Sequence, residues 1–312
     1  MSTVFSIAFY NLENLFDSEH NEYTLDKDFT PEGVFQWNRD RYLRKIQNLG
    51  NAISKIGHKK AMIPPIFLGV AEVENKTCLE DLIHSEKLQT HDYDFVHYDS
   101  PDERGVGVAF LYQKEHFELT YSDTYTLYIT DHEDNRDFTR DILLISGKLF
   151  SEEIYVIINH WPSRNSGKKA SEAKRIKAAK LVREIVEEIY RENKDPKIII
   201  MGDFNDQPNS TSIRNYLVTD DFFNPMLSLQ ENKKGSINYM GKWYLFDQII
   251  FSNPFLKDFS RHNFYKDIAV FDDHFLQEAT GKRKGSPKRT FLGKYHLGGF
   301  SDHFPVVAYL EK

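Results

Sequence analysis

The stretch Lys197-Ile198-Ile199-Ile200-Met201-Gly202-Asp203-Phe204-Asn205-Asp206 decides the fold of this chain. The apolar run after Pro196 predicts a buried strand, and that strand ends at a glycine. Asp203 and Asn205 stand two residues apart, and in extended backbone this spacing places both side chains on the same side. A carboxylate and a carboxamide there can hold a metal-bound phosphate and the water that attacks it. A simple turn is the alternative, because Gly, Asp and Asn all favour turns.

Five other segments place a polar side chain at the end of an apolar strand. They are residues 4–14, 69–75, 157–161, 244–250 and 300–307. The polar residues of the whole series are, in chain order, Asn11, Glu72, His160, the Gly-Asp-Phe-Asn run at 202–205, Asp247 and the Ser-Asp-His run at 301–303. Chance easily produces one such junction, whereas a series of them indicates that distant parts of the chain build one site.

This ordered set resembles the motifs of the endonuclease/exonuclease/phosphatase superfamily. The group includes pancreatic-type deoxyribonucleases, abasic-site endonucleases, neutral sphingomyelinases, deadenylases and inositol-polyphosphate 5-phosphatases. The resemblance runs from about residue 5 to about residue 309, which is nearly the whole chain. It implies an α/β fold, a four-layer α/β sandwich in which two mixed, mostly antiparallel sheets are flanked by helices. The site would lie at one end of that sandwich.

The composition is sufficient for a substantial core, since 40% of the residues are apolar and the chain contains 24 Phe and 17 Tyr. We predict a single domain over residues 1–312, because motifs near both termini must converge and no Pro-, Gly- or Ser-rich linker interrupts the chain. The one cysteine, Cys78, excludes an intramolecular disulfide. We see no signal peptide and no membrane-spanning stretch, so we expect a cytoplasmic protein. A secreted protein whose signal peptide had been removed would look the same.

The charge distribution bears on the substrate. A net charge of −7 argues against a protein that holds nucleic acid through its overall charge, but it is compatible with a nuclease that contacts a few phosphates. Basic residues cluster near two of the motifs, at Lys168, Lys169, Lys174, Arg175 and Lys177 and at Lys282, Arg283, Lys284, Lys288 and Arg289. Such runs usually form a solvated face, whereas their position beside the motifs favours a polyanionic substrate.

Hydrophobic periodicity predicts strands near residues 4–10, 65–71, 93–98, 105–112, 117–127, 141–150, 153–160, 197–202, 244–251 and 304–310. It predicts helices near residues 38–57, 77–88, 168–193 and 209–217. Short polar turns predict antiparallel hairpins that join 105–112 to 117–127 and 141–150 to 153–160. Residues 17–37 and 253–299 lack a clear period, and we expect irregular segments there that shape substrate choice.

Hydrolysis of a phosphate ester requires a cation, an activated water and donors to the developing charge. Mg²⁺ prefers oxygen ligands and takes only one or two carboxylates, and we expect Mn²⁺ to substitute for it. We predict that Glu72, at the end of an apolar strand, is the main metal ligand and that Asn11 and Asp302 complete the site. Asp203 is a further candidate for this set. The resemblance makes Glu13 a candidate ligand for a second ion.

The resemblance also implies roles for the other motif residues. Asp203 would orient or deprotonate the attacking water, and Asn205 would donate a hydrogen bond to a phosphate oxygen. His303 would contact the phosphate while Asp247 accepts from its other ring nitrogen. His160 would act as general acid to the leaving oxygen, as in the pancreatic-type deoxyribonucleases.

Substrate contacts are predicted for one acid and three arginines. Glu103, before the strand predicted at 105–112, is the candidate partner of His160. Arg140 resembles an arginine that contacts phosphate in the deoxyribonucleases, and Arg104 and Arg164 are the alternatives. A surface ion pair is the other interpretation of each arginine.

These features predict a Mg²⁺-dependent phosphodiesterase, and a nuclease acting on DNA or RNA is the leading hypothesis. The alternative is a phosphatase or phospholipase-like hydrolase that acts on a smaller phosphate ester. An inactive binding scaffold would lack at least one acid, His or Asn of the set, and none is missing. No obligate protein partner is evident in the sequence.

Overall fold

The computed structural model describes residues 3–130, 133–164, 167–256 and 264–312, except for the side chains of Lys168, Ala170 and Phe264. The strands are β1 Val4–Leu15, β2 Phe67–Val73, β3 Tyr93–His97, β4 Gly107–Gln113, β5 Phe117–Tyr125, β6 Ile129–Thr130, β7 Arg136–Asp137, β8 Ile142–Leu149, β9 Glu152–His160, β10 Lys197–Asp203, β11 Phe222–Phe223, β12 Ile237–Tyr239, β13 Lys242–Tyr244, β14 Asp247–Ser252, β15 Phe264–Val270, β16 Phe291–Leu292, β17 Tyr295–His296 and β18 Val306–Glu311. The α-helices are α1 Arg39–Ile53, α2 Lys76–Ile83, α3 Lys168–Glu192 and α4 Met226–Glu231. Ser212–Leu217 forms one π-helical turn, and Lys27–Phe29, Asn253–Leu256, His274–Leu276 and Gly281–Arg283 form 3₁₀ turns. None of the helices in these ranges has the length and apolar character that crossing a membrane requires.

Two large sheets organise the fold. The first sheet has the order β15-β18-β1-β2-β4-β3, and the second has the order β11-β14-β10-β9-β8-β5. Each sheet is mixed, because β1 runs parallel to β2 and β10 runs parallel to β9, whereas the other pairs are antiparallel. The structure therefore confirms the predicted α/β class with two mixed sheets.

The two faces of β10 show how the layers are assembled. Ile199 and Met201 lie in the inner core between the sheets, whereas Ile198 and Ile200 lie in the outer core against α3. This alternation is the two-residue period of a strand that is buried on both faces. The sheets approach closely beside Gly69, where an added Cβ would lie 2.9 Å from the sulfur of Met201. With α1 and α2 packed on the outer face of the first sheet, the molecule has four layers.

One predicted hairpin is wrong. Strand β4 pairs with β2 and β3 in the first sheet, whereas β5 pairs with β8 in the second. The chain crosses between the sheets at Phe117, whose ring packs 5.7 Å from that of Phe67 and 5.2 Å from that of Phe110. A short connection can join two strands that pair with each other or two strands that belong to different sheets. Here the packing of the aromatic rings favours the second arrangement. The other predicted hairpin is confirmed as β8 and β9.

The segment 253–299 is also more ordered than predicted, although residues 257–263 lie outside the described ranges. Strand β15 forms the edge of the first sheet and pairs with β18. Its register shifts between Tyr265 and Asp267, and its polar residues hide the alternation that would have marked a strand.

Candidate active site

The ends of β1 and β2 carry the first group of functional residues. The pairing of these strands shifts register between Asn11 and Leu15, and Glu13, Asn14 and Glu72 adopt left-handed φ angles of 51°, 53° and 61°. Non-glycine residues rarely take this conformation, and where it persists it often serves function. Here it turns Glu72 toward the end of β1, so that Oε2 accepts a hydrogen bond from the Asn14 backbone N–H at 2.9 Å.

The ends of β9, β10 and β14 carry the second group. Asp203 lies opposite His160 in the parallel pair and opposite Asp247 in the antiparallel pair, so strand register alone brings the three residues together. Gly202 is required for this arrangement because an added Cβ would lie 2.3 Å from the carbonyl oxygen of Asn159. Asp203 Oδ2 accepts a hydrogen bond from Asn11 Nδ2 at 3.1 Å, which joins the ends of the two sheets.

Asn205 follows in a left-handed conformation, with φ 49°. Its backbone N–H donates to Asp203 Oδ1 at 2.9 Å, and its side-chain Nδ2 donates to the carbonyl of Trp161 at 3.0 Å. The amide group therefore faces the catalytic end of β9 with its orientation fixed.

His303 is held by Asp247 on one side and faces two carboxylates on the other. Its Nδ1 lies 2.6 Å from Asp247 Oδ2, and its Nε2 lies 3.9 Å from Asp203 Oδ2 and 4.0 Å from Asp302 Oδ1. The loop is anchored by Ser301, whose hydroxyl donates to the carbonyl of Asn11 at 2.7 Å. Burial alone would lower the pKa of His303, but Asp247, Asp203 and Asp302 together raise that pKa well above its usual value. The ring is therefore an imidazolium at neutral pH.

His160 has the opposite environment. Its Nε2 lies 3.8 Å from Glu72 Oε1 and 3.8 Å from Asp203 Oδ2, and its Nδ1 is buried without a hydrogen-bond partner. Burial, together with the charges of Arg140 and Arg104, holds the pKa of His160 well below its usual value. This imidazole is therefore neutral in the free protein.

The structure does not bring Glu103, the predicted partner of His160, to that ring. Glu103 is exposed, and its backbone carbonyl accepts a hydrogen bond from the N–H of Leu25. The loop instead turns the preceding residue, Asp102, inward, where its Oδ2 accepts a hydrogen bond from Arg140 at 3.0 Å. The acid that points inward is therefore Asp102, one residue before the predicted Glu103.

Two of the three predicted arginines lie at the Glu72 side. Arg140 is buried and also donates to the carbonyl of Trp161 at 3.0 Å. Arg104 Nη2 lies 3.9 Å from Glu72 Oε1. Burial alone would raise the pKa of Glu72, but Arg104, His303 and Arg140 lower it, so this carboxylate is ionised.

Arg164, the third arginine, supports the loop after β10. Its Nε donates to the carbonyl of Asn205 at 2.7 Å, and its Nη2 donates to Asp206 Oδ1 at 2.5 Å. The guanidinium also lies over the ring of Phe246, 4.7 Å from the centroid. These contacts fix the position of Asn205.

A buried charge network around Glu13 was missed in the sequence. Glu13 Oε2 accepts a hydrogen bond from the Thr290 backbone N–H at 2.5 Å, and Oε1 lies 3.5 Å from Arg289 Nε. Lys45 is buried, with its ammonium group hydrogen-bonded to the Glu13 carbonyl and to Thr290 Oγ1. Arg289 in turn donates to Asp302 Oδ2 at 2.9 Å.

Protein cations and a backbone N–H thus surround the carboxylate of Glu13, the residue predicted as a candidate ligand for a second ion. Burial and the nearby Asp302 raise the pKa of Glu13 to about 7, although Lys45 opposes them. Burial lowers the pKa of Lys45 to about 8 against the attraction of Glu13. The sequence did contain one signal: Lys45 stands beside Ile46 on the apolar stripe of α1, where a lysine is out of place.

Two residues of the first basic cluster form ion pairs within the protein. Arg175 is fully buried, and its Nε lies 2.7 Å from Asp206 Oδ2, while Lys174 pairs with Asp137. The side chain of Lys168 lies outside the described part of the structure. In the second cluster, Arg289 reaches the site through Asp302.

Comparisons with known proteins identify the family of this chain. The model of the Endonuclease/Exonuclease/phosphatase family matches residues 6–312. The chain belongs to this family. A comparison with curated protein sequences gives no match.

Several solved structures share the fold. An endonuclease/exonuclease/phosphatase family protein from Bacteroides thetaiotaomicron is 19% identical, with TM-score 0.61 over 100% of this chain and 98% of that chain. Truncated TDP2 from Caenorhabditis elegans is 15% identical, with TM-score 0.61 over 99% of this chain and 98% of that one. A mannosyl-6-phosphatase from Bacteroides thetaiotaomicron is 20% identical, with TM-score 0.58 over 98% and 99%. At these identities the likeness shows the common fold, not the substrate.

As a member of the endonuclease/exonuclease/phosphatase family, the chain is a phosphoric ester hydrolase that depends on a divalent metal. The predicted ligands carry the type of donor atom that such an ion takes. Glu72, Asn11 and Asp302 supply oxygen atoms, which Mg²⁺ prefers. The carboxylates of Asp203 and Asp247 and a nitrogen of His303 also lie within 4.8 Å of one another. We favour the oxygen set, because Nδ1 of His303 is already hydrogen-bonded to Asp247 and nitrogen is a poorer ligand for Mg²⁺.

Proposed function

We propose that the chain is a Mg²⁺-dependent phosphodiesterase and that its substrate is DNA or RNA. The observation that carries this proposal is the row of ionisable groups from Glu72 through His160, Asp203 and His303 to Asp302, in which each neighbour lies within 3.8–4.0 Å of the next. In that row a cationic imidazole and a neutral imidazole stand on either side of Asp203. This arrangement can bind a phosphate group from both sides.

We assign the metal ion to Glu72, Asn11 and Asp302, where it would neutralise phosphate charge and polarise the P–O bond. His303, as the imidazolium, would donate from Nε2 to a non-bridging phosphate oxygen, and Asp247 would keep its Nδ1 proton in place. Asn205 would donate its remaining amide hydrogen to the same phosphate. Arg140 and Arg104 would add positive charge at the Glu72 side.

Asp203 is assigned to the attacking water. Burial and Asp247 raise the pKa of Asp203 to about 6, against the opposing effect of His303, so the carboxylate is largely ionised at neutral pH and can accept a proton. His160 is assigned to the leaving oxygen. Burial and then the charges of Arg140 and Arg104 keep the pKa of His160 low; a bound phosphate would offset the arginine charges and place a negative charge beside the ring, which favours the protonated form that the leaving oxygen needs.

A substrate panel tests this proposal. The purified protein should hydrolyse linear DNA or RNA and the small diester bis(p-nitrophenyl) phosphate in Mg²⁺ or Mn²⁺ and lose activity in a chelator. Asp203→Asn should lower kcat by about 10²–10⁴-fold, whereas Asp220→Asn, an exposed aspartate, should not change it. Activity that persists in the chelator or in Asp203→Asn would contradict the mechanism.

A small phosphate ester is the second candidate. The net charge is −7, and a cavity of about 500 Å³ near Glu72 is lined by acids that include Asp17, Glu22 and Asp99. Such a surface repels a long polyanion. If the protein did not hydrolyse nucleic acids but hydrolysed phosphate monoesters rapidly, the small phosphate ester would become the preferred substrate.

A further inference from the structure

A second cavity lies on the His303 side of the site. It has a volume of about 440 Å³ and lies beside the β12–β13 hairpin. Its lining includes Gln207, Lys233, Lys234, Lys242, Trp243 and Tyr244 and contains no acidic residue. Lys234 pairs with Asp272 at 3.0 Å, whereas Lys233 and Lys242 are exposed to solvent. We call this space the hairpin cavity.

The hairpin cavity is joined to the catalytic residues by direct contacts. Ile237 of β12 forms a β-bridge with His303, and the N–H of Phe304 donates to the carbonyl of Ser236 at 2.7 Å. Trp243 stacks on Phe304 with ring centroids 5.9 Å apart and planes at 19°. Because 39% of the Trp243 side chain remains exposed, an aromatic surface is available next to His303.

The acidic cavity is lined by chain neighbours of Glu72 and Arg104. Its lining includes Glu74, two residues after Glu72, and Gly105, the neighbour of Arg104. Burial raises the pKa of Glu74 to about 8, so the negative charge there comes from Asp17, Glu19, Glu22 and Asp99. The site is therefore electrostatically one-sided, with exposed lysines beyond His303 and carboxylates beyond Glu72.

A nucleic-acid strand would respond to this asymmetry. Phosphates are attracted to lysines, and unpaired bases stack on exposed aromatic rings without regard to sequence. Carboxylates repel a continuing phosphate chain. A strand can therefore extend from the scissile phosphate over the hairpin, but not in both directions.

We propose that the hairpin cavity is a binding subsite for single-stranded nucleic acid and that the enzyme cleaves at a strand end. Lys233 and Lys242 bind a phosphate beyond the scissile one, and Trp243 stacks on an unpaired base. The acidic cavity receives the terminal group and excludes a continuing strand. This inference rests on the proposed phosphodiesterase function and specifies its substrate.

The first test compares two diesters. Bis(p-nitrophenyl) phosphate occupies only the scissile position, whereas a linear single-stranded oligonucleotide also reaches the hairpin. The double variant Lys233→Glu/Lys242→Glu should lower kcat/KM on the oligonucleotide by at least about 10-fold and leave the small diester unchanged. Trp243→Ala should lower kcat/KM on the oligonucleotide by about 5- to 100-fold. Trp243→Tyr keeps an aromatic ring and should retain most of the activity on that substrate.

The control is Lys114→Gln/Lys148→Gln beside Lys233→Gln/Lys242→Gln, because Lys114 and Lys148, exposed near the other ends of β4 and β8, pair with Asp92 and Glu118 and a glutamate there would meet a like charge. Lys114→Gln/Lys148→Gln should leave both substrates unaffected. An equal loss in this control, or no loss in the hairpin variants, would overturn the subsite. If neither diester is hydrolysed by the unaltered protein, the proposed function fails instead of this inference.

The second test addresses the strand end. A circular single-stranded DNA should resist cleavage under conditions that digest a linear strand of the same sequence, and Glu19→Lys/Glu22→Lys should begin to cut the circle. If the unaltered enzyme cleaved the circular and the linear DNA at equal rates, end-directed cleavage would be overturned. A circle that still resists the charge-reversed variant would overturn the electrostatic explanation.

Discussion

At the ends of β9, β10 and β14 the functional residues keep the register of their strands, whereas at the ends of β1 and β2 the backbone leaves that register. Asp203 is a direct cross-strand partner of both His160 and Asp247. Glu13 and Glu72, by contrast, occupy left-handed positions at a break in pairing. Strand register thus places the groups assigned to proton transfer, and irregular backbone places the oxygen atoms assigned to the metal.

The same division appears in the charges. Three carboxylates surround His303 and raise its pKa, whereas two arginines beside His160 lower the pKa of that ring. One site therefore holds two imidazoles in opposite charge states, whose Nε2 atoms lie 3.8 Å and 3.9 Å from a shared carboxylate oxygen of Asp203. The comparison predicts that changes to His160, Asp203 and His303 affect turnover, while changes to Glu72 affect metal affinity and changes to the Glu13 network affect stability.

The largest expected effect is on turnover. His303→Ala removes the only imidazolium of the described site, and kcat on bis(p-nitrophenyl) phosphate should fall by about 10²–10⁴-fold. Metal affinity, measured by titration with Mn²⁺, should stay within about twofold, because Asp247 and His303 lie outside the assigned ligand set. His84→Ala, an exposed histidine at the end of α2, is the control. Loss of Mn²⁺ binding in His303→Ala would break the division between the two groups.

The buried network of the first sheet should dominate stability. Lys45→Met leaves the Glu13 carboxylate without its buried cation, which should lower the free energy of unfolding by about 3–5 kcal/mol. The double variant Glu13→Gln/Lys45→Met should recover part of that loss, since no buried charge is then left unpaired. Urea unfolding measures both, with the exposed Lys55→Met as control. If the double variant lost as much free energy of unfolding as Glu13→Gln and Lys45→Met lose together, Glu13 and Lys45 would not be coupled.

Much of the fold followed from the sequence because it depends on averaged properties. The apolar run of β10 and the stripe of α3 each contain many residues that report the same burial, so a single exception does not obscure the pattern. The motif residues Asp203, Asp247 and His303 could likewise be found, because each stands at the junction of an apolar strand and a polar segment.

Single contacts between distant residues could not be predicted in this way. The choice of Asp102 over Glu103 depends on how one loop turns, and the pairing of Lys45 with Thr290 joins residues far apart in the chain. The crossing of the chain at Phe117 was missed because a short turn has the same sequence whether the next strand pairs or changes sheet. These features depend on packing between secondary-structure elements, and they leave little pattern in the local amino-acid sequence.

The next effect is on metal binding. Glu72→Gln removes the ionised oxygen that the assigned site depends on, and the affinity for Mn²⁺ should fall by at least about 10-fold. Calorimetric titration of the purified protein measures this without reference to activity. His303→Ala serves as the comparison, since it should alter turnover and leave this titration unchanged. Unaltered Mn²⁺ affinity in Glu72→Gln would move the ion to the group formed by Asp203, Asp247 and His303.

The smallest expected effect separates two glycines at close contacts. In Gly202→Ala the new Cβ meets the backbone oxygen of Asn159 at 2.3 Å, so β9 and β10 must separate, at a cost of about 1–3 kcal/mol. In Gly69→Ala it meets side chains only, those of Met201, Phe9 and Ile158 at 2.9, 3.1 and 3.2 Å, and because side chains yield more readily than a backbone oxygen, the cost should be smaller. Only Gly202→Ala should also lower kcat, because it displaces Asp203 from His160 and Asp247, and small displacements of catalytic groups are costly. Equal losses of stability with equal turnover in the two variants would mean that strand register does not set the catalytic geometry.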